Sequence, residues 1–301
     1  MTQRPLLARL GWSLRDYVKR VWDNSGEDNI FFLAGGIAFN ILLAAIPFFL
    51  LIATGLAYLL GHKEAAGSDD IARIIDQLLP TPQGPNSPIM RMIRDVLESG
   101  EQVTLWSAVG FVWFSTRLFG SLRTVLAEVF DIESERGIIE GKLFDVKITV
   151  VATVLVAAYT ALSAYLLAAT TRGVTVLSEM GLRQDVMGRV EYSIGRLLAF
   201  MFIALMFYAL YKYLPLRRVR WQTALLASLF TSGSFELAKN LFTMYMTRFP
   251  PQSMYTGTIL AVVILVIWTY YAAMIFILGG EVAQVAELRR VRRMQRETFE
   301  G

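Results

Sequence analysis

Glu236, Lys239 and Asn240 stand three and four residues apart inside an apolar stretch, Trp221 to Tyr245, that holds no other charged side chain. At helical spacing they share one face. Two chemistries fit them: a self-neutralising ion pair in the outer part of a membrane span, with Lys239 snorkelling to the interface, or groups lining a path through it. The pair is the reading favoured. Arg117 interrupts a second apolar stretch and is followed by Arg123 and Glu128. These three, with Asn40, could form a polar cluster at the inner mouth, where a guanidinium suits a phosphate headgroup; the plainer alternative is an arginine anchoring its helix. Glu281 follows Gly279 and Gly280 at the inner end of the last apolar stretch. Together Asn40, Arg117, Arg123, Glu128, Glu236, Lys239, Asn240 and Glu281 are the candidate substrate-path residues.

Other chemistries are poorly provided for. The chain has no Cys and a single His, His62, so thiolate sites, clustered imidazole ligands and a Ser–His–Asp arrangement cannot be assembled. Gly-rich phosphate-cradling patterns are missing as well. No enzyme activity, cofactor or metal is expected.

The elements that must position these side chains follow from composition. Of 301 residues, 55% are hydrophobic and only 18% charged, with a mean hydropathy of +0.48. The apolar residues gather into blocks at roughly 30–60, 103–122, 146–170, 194–214, 221–245 and 257–282, each near the length that spans hydrocarbon. The expectation is an all-α polytopic integral membrane protein with six transmembrane helices. Basic residues are about twice as frequent on the segments that share a side with the N-terminus, which predicts both termini in the cytoplasm. With Trp221 and position 122 taken as inner ends, Glu236 falls about 22 Å into its span and Arg117 about 8 Å into its own. Their levels would differ by about 14 Å, with Glu236 nearer the outside.

Around the spans, residues 1–29 read as a cytoplasmic amphipathic helix on the membrane surface, with Leu7, Leu10, Leu14, Tyr17, Val18 and Val21 on one face. Residues 61–101 read as an external helical hairpin, within a transmembrane domain of 30–285. Residues 286–301 form a basic tail suited to anionic lipid, so nucleic acid is not expected as a partner. Gly35 and Gly36, like Gly279 and Gly280, permit close helix contact. Pro47 should kink the first span and Pro215 ends the fourth.

Taken together, several segments resemble the YihY/BrkB family. They are "AGGIAFNILLAAIPFFLLI" with Pro47, "LWSAVGFVWFSTRLFGSLRTVLAEVFDIE" with Arg117, "YKYLPLRRVRWQTALLASLF", "FELAKNLFTMYM", and "YTGTILAVVILVIWTYYAAMIFILGGEV" with Gly257, Trp268, Gly279 and Glu281. Leu226 stands where a small residue is expected, which would affect the packing of its helix. The resemblance implies a six-span protein of the bacterial inner membrane with no settled molecular activity, linked to envelope integrity and proposed transport; the family's older ribonuclease label looks like a misattribution. The expected function is transport, or support of transport, of a lipid or other amphiphile. Cation/proton exchange through Glu236 and a non-transporting envelope scaffold are the alternatives. Membrane lipids, a second copy or an envelope protein are the expected partners.

Overall fold

The computed structural model describes residues 6–59, 101–132, 137, 139–156, 158, 184–215, 219–248 and 258–300. Seven helices and no strand occur among them: α1 (Leu6–Glu27), α2 (Ile30–Leu59), α3 (Glu101–Val129), α4 (139–156), α5 (Gln184–Tyr213), α6 (Trp221–Arg248) and α7 (Thr258–Glu300). The expected external hairpin and Gly257 lie outside the described residues.

Composition explains why these stretches are helical and where they stop. Glycine and proline are confined to a few interior positions, and α2 continues through Pro47 as one helix. Position 110 of α3 comes against that proline, 4.0 Å from where a Gly110 Cβ would sit. The end of α3 is a Schellman turn: Ile132 N–H donates to Ala127 O at 2.8 Å and Asp131 N–H to Glu128 O at 3.0 Å, with Asp131 left-handed at φ 49°. Asn29 adopts the same φ of 49° between α1 and α2. Asn and Asp tolerate that conformation better than other residues with a Cβ. The elbow turns α2 away from α1 by 69°.

The long helix α7, 43 residues and about 64 Å, is the centre of the bundle. It packs on α1, α2, α3 and α6, while α3 lies on α2 and α5 on α6. The core is built from Ile37, Leu126, Val129, Tyr211, Leu214 and Ile277. Facing outward are Phe32, Phe39, Trp113, Val154, Met201 and Leu237, all more than half exposed. A continuous apolar exterior of this kind is untenable in water and suits hydrocarbon. Among the described residues, two stretches have the length and apolarity to cross a membrane, Gly195–Tyr213 and Val262–Arg292; a third arises if α1 and the start of α2 count as one bent span. The expected stretches at 30–60 and 146–170 run beyond the residues whose side chains are described.

Two of the segments belong to longer helices. The apolar stretch placed at 103–122 belongs to a helix that continues to Val129, because Val125, Leu126 and Val129 are all buried. The basic tail is helical, carried on α7 to Glu300.

Candidate functional site

Glu236 is engaged from two sides. Lys239 Nζ lies 2.7 Å from Oε2, and Arg196 of α5 reaches Oε1 at 3.1 Å. The expected pair with Lys239 is therefore present, inside a triad whose second cation comes from another helix. Arg196 carries no signal of this role except its place one turn inside an apolar run. Asn240 turns its amide to the Glu236 main-chain carbonyl at 2.8 Å, not to the carboxylate. Two cations on one carboxylate leave a net positive charge where α5 meets α6.

The cluster expected at the inner mouth does not assemble. Arg123 turns to α4, donating to Asp145 at 2.9 Å and to Gly141 O at 3.1 Å. The Asp145 side chain is only 2% exposed. A Cβ on residue 141 would stand 3.0 Å from the guanidinium, so Gly141 leaves the room that the pair occupies. Asp145 stands just before the apolar stretch at 146–170. Glu128 is exposed, and Arg117 is exposed without an ion pair or hydrogen bond among the described residues. Asn40 bonds back to Gly36 O at 2.9 Å.

The order of depths is also reversed. Helices α6 and α7 run antiparallel, with position 231 against 279, Thr223 against Glu287 and Phe242 against Trp268. Glu236 therefore comes level with about Met274. Helix α3 places Leu126 and Val129 at Gly280, which brings Arg117 level with Trp268 to Tyr271. Measured from the end where α1 packs, Arg117 is the farther of the two, by roughly 5 to 9 Å. The expectation failed because α3 continues below 122 and α6 begins as low as Glu287.

Glycine pairs separate into two kinds. A Cβ on Gly279 would land on the hydroxyls of Thr231 and Tyr211 and lie 3.2 Å from Tyr211 Cζ. Those hydroxyls are 2.8 Å apart, and the Tyr211 hydroxyl also donates to Phe276 O at 2.6 Å. Tyr211 is wholly buried, with its ring stacked on Phe276 at 5.1 Å. Gly280 faces the other way, toward Val129 at 3.1 Å and Leu126 at 3.4 Å. The junction of α3, α5, α6 and α7 thus depends on these two glycines. At Gly35 and Gly36, by contrast, a Cβ would meet nothing within 4 Å, so they do not serve close helix contact. Nor does Leu226 matter to packing: it is exposed, and α6 docks through Ala224, Ala227, Ser228 and Thr231. Trp268 is buried between Phe235 and Phe242, and Pro215 is buried just past the end of α5.

Gly35 lines a groove instead. With Ala38, Phe39 and Leu42 of α2 and Val266, Ile267, Tyr270 and Tyr271 of α7, it encloses about 460 Å³ of largely apolar space. The Tyr270 hydroxyl bonds to Phe31 O at 3.2 Å and ties the groove's lower end together.

Helix α1 is held to the lower part of α7. The Tyr17 hydroxyl donates to Val282 O, Asn24 to Gln284 at 2.9 Å, and Arg289 to Asp16 at 3.0 Å while stacking over the Tyr17 ring. Val18 and Trp22 stay exposed one turn apart. Asp16, outside the apolar spans, is held below the usual carboxylate range, chiefly by the hydrogen bond from Arg20. Glu281 is fully buried beneath this contact. Among the described residues, no three of His, Asp and Glu converge closely enough to hold a metal ion.

An all-helical bundle with an apolar exterior, a groove between two helices and charges gathered at helix junctions defines an α-helical membrane protein. Over residues 21–299 the chain matches the family described as Virulence factor BrkB, and it belongs to that family. It is 26% identical to a UPF0761 membrane protein of Psychromonas ingrahamii over 90% of this chain and 87% of the relative. To a UPF0761 membrane protein of Cronobacter sakazakii it is 25% identical, over 98% and 97% of the two chains. No solved structure matches it.

Proposed function

We propose that the protein is a multi-pass transporter, or transport-associated protein, of the bacterial inner membrane that handles a lipid or other amphiphile of the envelope and performs no covalent chemistry. The observation that carries this reading is the groove between α2 and α7. It is open, apolar and walled by Phe39, Tyr270 and Tyr271, a shape and chemistry suited to an acyl chain. The Arg196–Glu236–Lys239 triad, with its excess positive charge, suits an anionic head. Six spans with both termini inside fit the contact of α1 with the C-terminal half of α7, which puts the two ends of the chain at one end of the bundle. Lipids are then the first partners, with a second copy or an envelope protein as further ones.

Gly35→Leu tests the reading. Space is free at that position, so the variant fills the groove without displacing a neighbour. Transfer of a fluorescent anionic phospholipid in proteoliposomes should fall at least fivefold, while Gly36→Leu should leave it unchanged. Equal transfer by Gly35→Leu and wild type sinks the proposal. Exchange of protons at Glu236 is disfavoured by the same triad, since two adjacent cations favour the charged carboxylate.

A further inference from the structure

We propose that Glu281 and Asp28 form a proton-binding carboxyl pair that fastens α1 and its elbow to α7. The Glu281 side chain is 0% exposed, and neither of its carboxylate oxygens has a hydrogen-bond partner. Burying an ionised carboxylate without a donor is among the costliest arrangements in a protein. What faces it sharpens the problem. The elbow between α1 and α2 brings the Asp28 carboxyl, α1 brings Asn24, and the turn after α3 brings Asp131. Asn24 gives one of its two amide hydrogens to Gln284, whose own amide donates to Asp131 at 2.8 Å, so the other is the one neutral donor facing Glu281. Among the described residues no basic side chain pairs with Asp28, Asp131 or Glu281.

Glu281 is buried, Asp28 partly buried and Asp131 exposed, so the costly arrangement is a charged Glu281 with like charge beside it and no cation pairing with it among the described residues. A proton on the buried Glu281 supplies the missing donor, removes one charge and lets its carboxyl bond to that of Asp28. The two turns that deliver the acids, at Asn29 and Asp131, are the two left-handed ones in the described backbone. Protonation therefore joins three elements, α1 with its elbow, the end of α3 and α7, at one point. Loss of the proton leaves two like charges pushing the elbow off α7. The device is independent of whether a lipid occupies the groove some 20 Å away along α7.

The test uses full-length protein in detergent micelles, wild type beside Glu281→Gln and Asp28→Asn, each matched in size to the original. Infrared difference spectra between pH 7 and pH 10 should show a protonated carboxyl band in wild type that is lost in both variants. Hydrogen exchange over residues 15–28, corrected for its intrinsic pH dependence, should accelerate at least tenfold from pH 7 to pH 10 in wild type. In Glu281→Gln the acceleration should be under twofold. A wild type without the band at pH 7, or a band that survives in both variants, overturns the proposal. So does displacement of the band by sodium or magnesium at constant pH, which would make the site one for a metal cation. If one variant fails to fold, the other still decides.

Discussion

Adding a single methyl group at residue 279 should do damage comparable with a deletion in the core. The Cβ of Gly279→Ala must occupy space held by the Thr231 and Tyr211 hydroxyls and approach Tyr211 Cζ to 3.2 Å. Neither side chain can retreat, since Tyr211 and Thr231 are both 0% exposed. Overpacking of this kind costs about 1–3 kcal/mol. Displacing the Tyr211 hydroxyl from Phe276 O and Thr231 leaves buried polar groups unmatched, at about 1–3 kcal/mol. Alanine recovers about 1 kcal/mol of helix propensity. The net loss is about 1–5 kcal/mol, a large share of the roughly 5–15 kcal/mol that holds a typical fold. Gly280→Ala meets only Val129 and Leu126, at 3.1 and 3.4 Å, and should be within about 1 kcal/mol of neutral after the same propensity gain. Gly35→Ala meets nothing and should be neutral or slightly stabilising. The assay is the fraction of detergent-solubilised protein that remains monodisperse after heating, read by size-exclusion chromatography. Removing both hydroxyls in a Thr231→Ala, Tyr211→Phe background should restore part of the loss. If Gly279→Ala melts together with Gly35→Ala, the close approach of α5, α6 and α7 argued here is wrong.

Breaking the Arg123–Asp145 pair with Asp145→Leu should destabilise by less than the roughly 3–5 kcal/mol of a fully buried pair, because Arg123 is 19% exposed and keeps Gly141 O; the same heating assay reads it, and the Arg123→Met, Asp145→Leu double variant should regain most of the loss. Arg196→Ala should cost well under 1 kcal/mol, as its side chain is half exposed, whereas Glu236→Gln strips both cations of their partner and should be the more destabilising of the two. The Asp16 carboxyl is lowered chiefly by Arg20 of its own helix and in lesser part by Arg289 of α7, so its contribution to holding α1 on α7 is small and is present above the ordinary value of 3.8. That contribution disappears as pH falls below it. Protease sensitivity within α1 should accordingly rise in acid for wild type and be independent of acid in Asp16→Asn.

How much of this was legible beforehand differs by residue. Glu236 and Lys239 meet as their spacing demands, since i and i+3 on a helix are neighbours whatever surrounds them. Arg196 could not be found that way: its contact spans 40 residues and depends on how α5 lies on α6. Arg123 and Asp145 were each visible as charges beside apolar stretches, yet nothing local says that they pair. The two glycine doublets look alike in the chain, but only Gly279 and Gly280 sit where helices converge. Gly35 and Gly36 face open space because α2 and α7 splay around a groove at that level.

Local chemistry alone determined that the chain is helical, belongs in a membrane and carries few charges within its apolar stretches. Hydrophobic content and i, i+3 proximity are properties of short segments and survive any packing arrangement. Depth, partners and burial were decided by tertiary structure. The register of α3 and α6 along α7 reversed the order of Arg117 and Glu236, and a fold in three dimensions was needed to bring Asp28 and Asp131 to Glu281. Those relations depend on contacts between residues far apart in the chain, for which spacing along it holds no measure.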